Sequence, residues 1–198
     1  MLPHRRHDHE GRAEPRQDDQ ALWQRMLSGD DQALAALFHR HYPLLYDYGL
    51  KLTRQAELVK DGVQEVFAYL WEKRATLSPA DSARAYLLVA LRRHLLKALA
   101  RQQQRLESGQ QHVLAESAES FSPEDFVIMQ ESDELERRAL QQALQDIPPR
   151  LREALYLKTY DGLPYREIAA IMNVTPQVAR NYVSEAFHRL RALLFPRR

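Results

Sequence analysis

Polar side chains that can contact the edges of DNA bases recur near the C-terminal end of the chain. The stretch TPQVARNYVSEAFHRL opens with Thr175-Pro176, a helix-capping residue followed by a proline that fits a first helical turn. At 100° per residue, Ala179, Val183 and Ala186 share one apolar face of that helix. The remaining candidates lie toward its N-terminal half and are of types that donate to or accept from base edges: Thr175, Gln177, Arg180, Asn181 and Ser184.

A short helix must precede this one for the polar side chains to be held against DNA. Pro164 is suited to open it, and Asn173 tolerates the left-handed turn that would end it. Ala169 is small where the two helices would approach each other. This pattern predicts a helix-turn-helix, although an ordinary helical hairpin with a polar solvent face remains the alternative at this point.

A second basic element lies far away, in the stretch LRRHLLKALARQQQR. Arg93, Lys97, Arg101 and Arg105 recur every fourth residue, away from a leucine stripe, and therefore form an outward basic ridge. Basic groups beside an aromatic ring suit a displaced single strand of DNA, although Tyr86 could equally be a core residue. The candidate strand-contacting residues are Tyr86, Arg92, Arg93, Lys97 and Arg101.

Between these ends, the stretch KDGVQEVFAYLWEK predicts an amphipathic helix. Val63, Val66 and Leu70 share one face with Phe67, and carboxylates such as Asp61 and Glu65 cluster on the opposite face. An outward carboxylate face suits a basic protein partner, and a merely solvated face is the alternative.

Composition narrows the class of protein further. The chain has 198 residues, a formal net charge of +1, 44% hydrophobic residues and no cysteine, which excludes disulfides and thiolate metal sites. No apolar run approaches the ~20 residues of a membrane span. We find no metal-ligand constellation, no glycine loop for phosphates and no nucleophile-base pair, so neither an enzyme nor a cofactor is expected.

Helical periodicity throughout predicts an all-α protein of two small domains joined by a flexible linker. We expect a disordered tail over residues 1–19, a helical domain over 20–105, a linker over 106–121 and a helix-turn-helix domain over 122–198. The segment Glu107 to Glu136 contains no Lys or Arg. It is either a solubilising linker or an acidic mimic of nucleic acid.

From about Leu22 to Leu194, these motifs together resemble a bacterial RNA polymerase sigma factor of the extracytoplasmic-function group. The resemblance implies a region 2 domain that binds core polymerase and opens the minus-10 promoter element, and a region 4 domain that recognises the minus-35 element. It implies core RNA polymerase, promoter DNA and an anti-sigma factor as partners. It also implies a cytoplasmic protein that does not insert into the membrane.

The resemblance assigns roles to individual residues. KDGVQEVFAYLW is similar to the family's polymerase-binding helix, ARAYLLVALRRHLLKAL to its minus-10 helix and LPYREIAAIMNVTPQVARNYV to its minus-35 helix-turn-helix. Gly62 departs from the apolar residue usual in the first of these. The main alternative is a stand-alone helix-turn-helix transcriptional regulator. The polymerase-binding residues implied are Asp61, Gln64, Glu65, Phe67 and Trp71.

Overall fold

The computed structural model describes residues 15–107, 121–126 and 134–195, and all regular structure in these ranges is helical. The N-terminal half contains α1 (Pro15–Leu27), α2 (Asp31–Thr53), α3 (Ala56–Lys73) and α4 (Ala83–Glu107). A single 3-10 turn, Pro123–Phe126, precedes α5 (Glu134–Gln145), α6 (Pro149–Thr159), α7 (Tyr165–Met172) and α8 (Pro176–Leu194). The prediction of an all-α fold is confirmed.

Helices α1 to α4 form one unit around a leucine-rich core. The carboxylate of Asp30 caps α2 by accepting a 3.1 Å hydrogen bond from the Ala33 N–H, and Arg54 ends that helix in the left-handed conformation, with φ 58°. Residues 15–19, which we expected in a disordered tail, belong to α1, whereas residues 1–14 lie outside the described part. The fully buried core side chains include Trp23, Leu37, Leu45, Val63, Leu70, Leu91 and Leu95.

At Gly62, α3 packs closely against α4. A Cβ atom at this position would lie 3.1 Å from Leu95 Cδ2 and 3.2 Å from Leu91 Cδ1. Glycine lowers helix propensity by about 1 kcal/mol relative to alanine. That cost is offset here because the missing side chain lets the two helices pack closely.

The C-terminal unit contains the predicted helix-turn-helix. Asn173 ends α7 with φ 55°, and the hydroxyl of Thr175 accepts a 3.3 Å hydrogen bond from the Val178 N–H at the start of α8. Ala169 is 3% exposed where α7 meets α8. The helix-turn-helix predicted from these residues is therefore present in the structure.

The two units are packed against each other, and their buried apolar residues form one continuous cluster. Helix α4 packs on α7. Phe121, which we placed in the linker, is fully buried between Tyr48 and Tyr156, with ring centroids 5.6 Å from each. Its large apolar ring explains why this end of the predicted linker is packed. Residues 108–120 and 127–133 lie outside the described part, so most of the predicted acidic segment from Glu107 to Glu136 is not described.

Candidate nucleic-acid and polymerase interfaces

Helix α8 presents the predicted base-contacting residues on its exposed face. Its inward face is formed by Ala179, Val183 and Ala186, each at most 1% exposed. The Gln177 side-chain amide donates a 2.9 Å hydrogen bond to Asn181 Oδ1, one turn away. These two amides are thereby oriented before any ligand arrives. All five predicted residues are exposed: Thr175, Gln177, Arg180, Asn181 and Ser184.

Tyr165, the first residue of α7, supports the basic side of this face. The guanidinium carbon of Arg180 lies 5.3 Å from the centroid of the Tyr165 ring. The Lys158 ammonium lies 4.9 Å from the same centroid. The quadrupole of the ring attracts both cations and therefore limits where Arg180 rests.

The predicted basic ridge is present on α4. Arg93, Lys97 and Arg101 are exposed, as their spacing predicted. Arg93 and Lys97 line an open groove between α3 and α4 together with the rings of Tyr69 and Tyr86. The Glu65 carboxylate lines the α3 side of this groove, and the cations and aromatic rings are residue types suited to a single nucleic-acid strand.

Tyr86 packs on the core with one side of its ring and lines the groove with the other. Its ring packs edge-on against that of Trp23, with centroids 5.0 Å apart, yet the side chain also lines the open groove. Burial raises the pKa of the Tyr86 hydroxyl. The residue is therefore anchored on the core and stays a neutral hydrogen-bonding group.

Arg92 differs from the other predicted strand-contacting residues because it is buried. Its Nε donates to Glu153 Oε1 at 2.8 Å and its Nη2 donates to Oε2 at 3.2 Å, forming a bidentate ion pair with α6. The Tyr48 hydroxyl donates to Glu153 Oε1 at 2.8 Å, and burial raises the pKa of that hydroxyl. The expectation that Arg92 is available to DNA is wrong for this conformation.

The predicted polymerase-binding residues on α3 divide into two groups. Asp61, Gln64 and Glu65 are exposed, and Trp71 is half-buried with the Arg74 guanidinium 4.2 Å from its ring centroid. Phe67 is only 5% exposed, and its ring packs edge-on against Phe38 at 5.1 Å. Phe67 is therefore a core residue, and its prediction as a contact residue is corrected.

None of the described contacts that join the two units was predicted from the sequence. The Arg54 guanidinium makes two hydrogen bonds to Asp125, at 2.6 and 3.1 Å, and the Tyr156 hydroxyl donates to Asp47. Helix α6 is covered on more than one side, because every residue from Leu151 to Leu157, Glu153 included, is buried. No motif or spacing in the sequence indicated these long-range pairs.

The described residues include no group of three or more His, Cys, Asp or Glu able to hold a metal ion. No helix in the described ranges is long and apolar enough to cross a membrane.

Two family profiles match the chain in the order that the motifs suggested. Sigma-70 region 2 matches residues 37–105, which include α3 and α4. Sigma-70 region 4 matches residues 137–190, which include the helix-turn-helix.

Several curated relatives are sigma factors that align over most of their own length. The chain is 28% identical over 171 residues to RNA polymerase sigma factor CarQ of Myxococcus xanthus, covering 86% of this chain and 94% of that protein. It is 24% identical to the ECF sigma factor SigL of Mycobacterium tuberculosis, covering 81% and 88%. It is 25% identical to the RNA polymerase sigma-H factor of Pseudomonas aeruginosa, covering 91% and 95%.

Solved structures with this fold include CnrH in complex with the cytosolic domain of CnrY, at a TM-score of 0.59 and 20% identity, covering 89% of this chain and 97% of that one. The sigma factor RpoE in complex with the anti-sigma factor NepR from Bartonella quintana matches at a TM-score of 0.54 and 19% identity, covering 85% and 98%. A stand-alone regulator would not contain sigma-70 region 2, so the region 2 match argues against that alternative. The chain therefore belongs to the sigma-70 family of RNA polymerase sigma factors, in the extracytoplasmic-function group, and directs transcription initiation.

Proposed function

We propose that this sigma factor binds core RNA polymerase through the exposed side of α3 and engages promoter DNA through two separate elements, α4 and α8. The observation that carries this proposal is the presence, in one chain, of both sigma-70 regions with exposed polar faces on the helices concerned. The proposed domains keep the boundaries expected from the sequence, 20–105 for region 2 and 122–198 for region 4.

The polymerase contact is assigned to Asp61, Gln64 and Glu65, with Trp71 at its edge. The two carboxylates are exposed and one helical turn apart, so a basic helix of the polymerase clamp could pair with both. Phe67 supports this surface from within the core and does not contribute to the contact.

The minus-10 contact is assigned to the groove between α3 and α4 and to the basic ridge beside it. Unstacking and unpairing a base costs a few kcal/mol, and capture of the displaced strand must offset that cost. Tyr86 offers a ring for stacking, and Arg93, Lys97 and Arg101 offer charges for phosphates. Opening then needs no nucleotide hydrolysis, so we propose no enzymatic activity.

The minus-35 contact is assigned to the exposed face of α8. Arg180, Asn181 and Gln177 are residue types that form bidentate hydrogen bonds with guanine or adenine in the major groove. Thr175 lies at the helix N-terminus and Ser184 lies one turn beyond Arg180, where both can contact the DNA backbone or a base edge.

An anti-sigma factor is the further partner that we propose. Two solved sigma factors with this fold are each bound to a second protein, CnrH to CnrY and RpoE to the anti-sigma factor NepR. We also propose that the chain acts in the cytoplasm, where it meets core polymerase, without inserting into the membrane.

Run-off transcription with purified core polymerase tests the proposed function. Promoter DNA selected by the assembled holoenzyme should yield a defined transcript, and permanganate should modify minus-10 thymines only when both proteins are present. The sigma assignment would be refuted if the chain bound its site tightly alone while core polymerase added neither transcript nor strand opening.

A further inference from the structure

We propose that Tyr165 is a positioning residue for minus-35 recognition, because its ring holds the Arg180 guanidinium where that group meets a base edge. Tyr165 is the first residue of α7, and Arg180 lies on the exposed face of α8. The inference rests on the proposed role of Arg180 in the minus-35 contact. It adds that the sequence preference of α8 depends on a residue outside α8.

The Tyr165 ring restricts a side chain that is long and exposed. The guanidinium carbon of Arg180 lies over this ring, 5.3 Å from its centroid. A free arginine side chain samples many rotamers and loses that freedom when it binds. A cation–π contact at an exposed site favours the held rotamers roughly two- to fivefold over the others. Part of the ordering of Arg180 is therefore complete before DNA arrives.

An aromatic partner leaves Arg180 able to bind DNA. A ring attracts a cation through its quadrupole and carries no formal charge, so the guanidinium keeps its positive charge and its N–H donors. Arg189, further along α8, is held differently, because its Nε donates to the Glu185 carboxylate at 2.7 Å. Within the described part of the chain, Arg180 has no such carboxylate partner.

Tyr165 is itself held by its surroundings. At the start of α7, the Glu167 N–H donates a 2.9 Å hydrogen bond to the Pro164 carbonyl. On the α6 side, the Lys158 ammonium lies 4.9 Å from the ring centroid and donates a 3.2 Å hydrogen bond to the Leu163 carbonyl. The ring is therefore a fixed surface on which the flexible Arg180 side chain rests.

The amides beside Arg180 are oriented by a contact of their own. Gln177 donates a 2.9 Å hydrogen bond to Asn181 Oδ1, so this oxygen competes less for the Arg180 guanidinium. Pairing within α8 and the contact from α7 together orient three of the five proposed minus-35 residues.

The contact with Tyr165 should therefore increase discrimination between promoters. When a binding-competent state is only fractionally populated, the apparent dissociation constant rises by the inverse of that fraction. Without the ring, the preference for the cognate minus-35 element should fall roughly two- to fivefold. Binding to unrelated DNA should change less, because it depends on charge that Arg180 retains.

The test uses holoenzyme assembled from core polymerase and an excess of the full chain. Competition binding gives the ratio of affinities for a promoter selected by the wild type and for the same promoter with its minus-35 element replaced. Tyr165→Leu should lower this ratio roughly two- to fivefold, whereas Tyr165→Phe, which keeps the ring, should retain it. Phe187→Leu, which removes an α8 ring that is 49% exposed, should also leave the ratio unchanged.

The same substitution in an Arg180→Ala background separates positioning from a structural effect. There, Tyr165→Leu should cause no further loss, because the ring has no guanidinium left to hold, and the double-mutant cycle isolates this coupling. A folding defect would lower the ratio in both backgrounds. The comparison therefore decides the question even if Tyr165→Leu has a changed circular-dichroism spectrum.

Equal losses in Tyr165→Phe and Tyr165→Leu would overturn the proposal, because they would indicate a direct contact between the hydroxyl and DNA. An unchanged or increased ratio in Tyr165→Leu would overturn it too, and so would an equal loss in both backgrounds. The proposed function would survive these results as long as Arg180→Ala lowers the ratio. An unchanged ratio in Arg180→Ala would instead contradict both the proposed minus-35 contact and the role of Tyr165.

Discussion

Replacing Phe121 with alanine should uncouple the two units of the protein. The side chain is fully buried at their junction and contacts Tyr48 from one unit and Tyr156 from the other. Its removal leaves a cavity that neither unit can fill without moving. The hydrogen bond from its N–H to the Lys51 carbonyl remains possible, so the perturbation is confined to the ring.

The expected loss of stability is set by the cost of the cavity and by the ability of the two units to separate. Deleting a buried phenylalanine ring costs about 3–5 kcal/mol. Alanine at φ 54° still carries the left-handed penalty of roughly 1–2 kcal/mol, so no strain is relieved by the substitution. Because the two units can separate to avoid the cavity, the observed loss is limited by the cost of separation. We therefore expect the substitution to lower the free energy that holds the two units together by about 2–4 kcal/mol.

Urea unfolding followed by two probes measures this loss. The chain has two tryptophans, Trp23 and Trp71, which lie in α1 and α3, so their fluorescence reports the N-terminal unit alone. Far-ultraviolet circular dichroism reports the helices of both units. The two transitions should coincide in the wild type. In Phe121→Ala, the urea midpoint of one transition should fall by roughly 1–2 M, so the two transitions no longer coincide.

Phe187→Ala is the matched control, because it removes the same ring from an α8 position that is 49% exposed. It should leave the two transitions coincident. Coincident, unshifted transitions in Phe121→Ala would refute the role of this residue in coupling the two units. A loss of stability no larger than that of Phe187→Ala would refute it as well.

Three further predictions concern the proposed contacts and the pH dependence of stability. Arg180→Ala should weaken minus-35 binding by the holoenzyme by roughly 1–3 kcal/mol, and unchanged affinity and sequence preference would remove it from the interface. Asp61→Lys with Glu65→Lys should weaken core-polymerase binding by several kcal/mol with an unchanged circular-dichroism spectrum, and wild-type affinity would leave a merely solvated face. Burial raises the pKa of Asp161 from 3.8 to about 7, so the folded chain retains a proton that the unfolded chain releases. Stability should therefore fall as pH rises from about 4 to 7, by up to ~1.4 kcal/mol per pH unit from this group. The charged groups facing Asp161 are Arg84, Asp47 and Lys51. Asp161→Asn should flatten the pH dependence of the urea midpoint, and identical pH profiles for the wild type and the variant would contradict this prediction.

Local signals in the sequence were enough to predict the helix-turn-helix. Thr175 caps α8 and Asn173 ends α7 as their residue types indicated, because both features depend only on neighbouring backbone groups. The outward positions of Arg93 and Lys97 also followed from helical spacing alone. Their proposed contacts with DNA stay predictions.

The errors arose where distant parts of the chain meet. Arg92 and Glu153 are 61 positions apart, and no periodicity within α4 or α6 indicates that one pairs with the other. Phe67 is a different case, because helical periodicity already places it on the apolar face of α3, and only the resemblance assigned it to polymerase binding; its ring packs against Phe38 within the unit. Tertiary packing between the units therefore decided the exposure of Arg92 alone.

The missing side chain at Gly62 has a mechanical consequence. With Leu91 and Leu95 packed directly against the backbone at Gly62, α3 has little room to slide or rotate on α4. The groove between the two helices is lined by Glu65 on one side and Tyr86 on the other. In the proposed complex, binding of polymerase to α3 would therefore also position this groove, with little relative movement between the two helices.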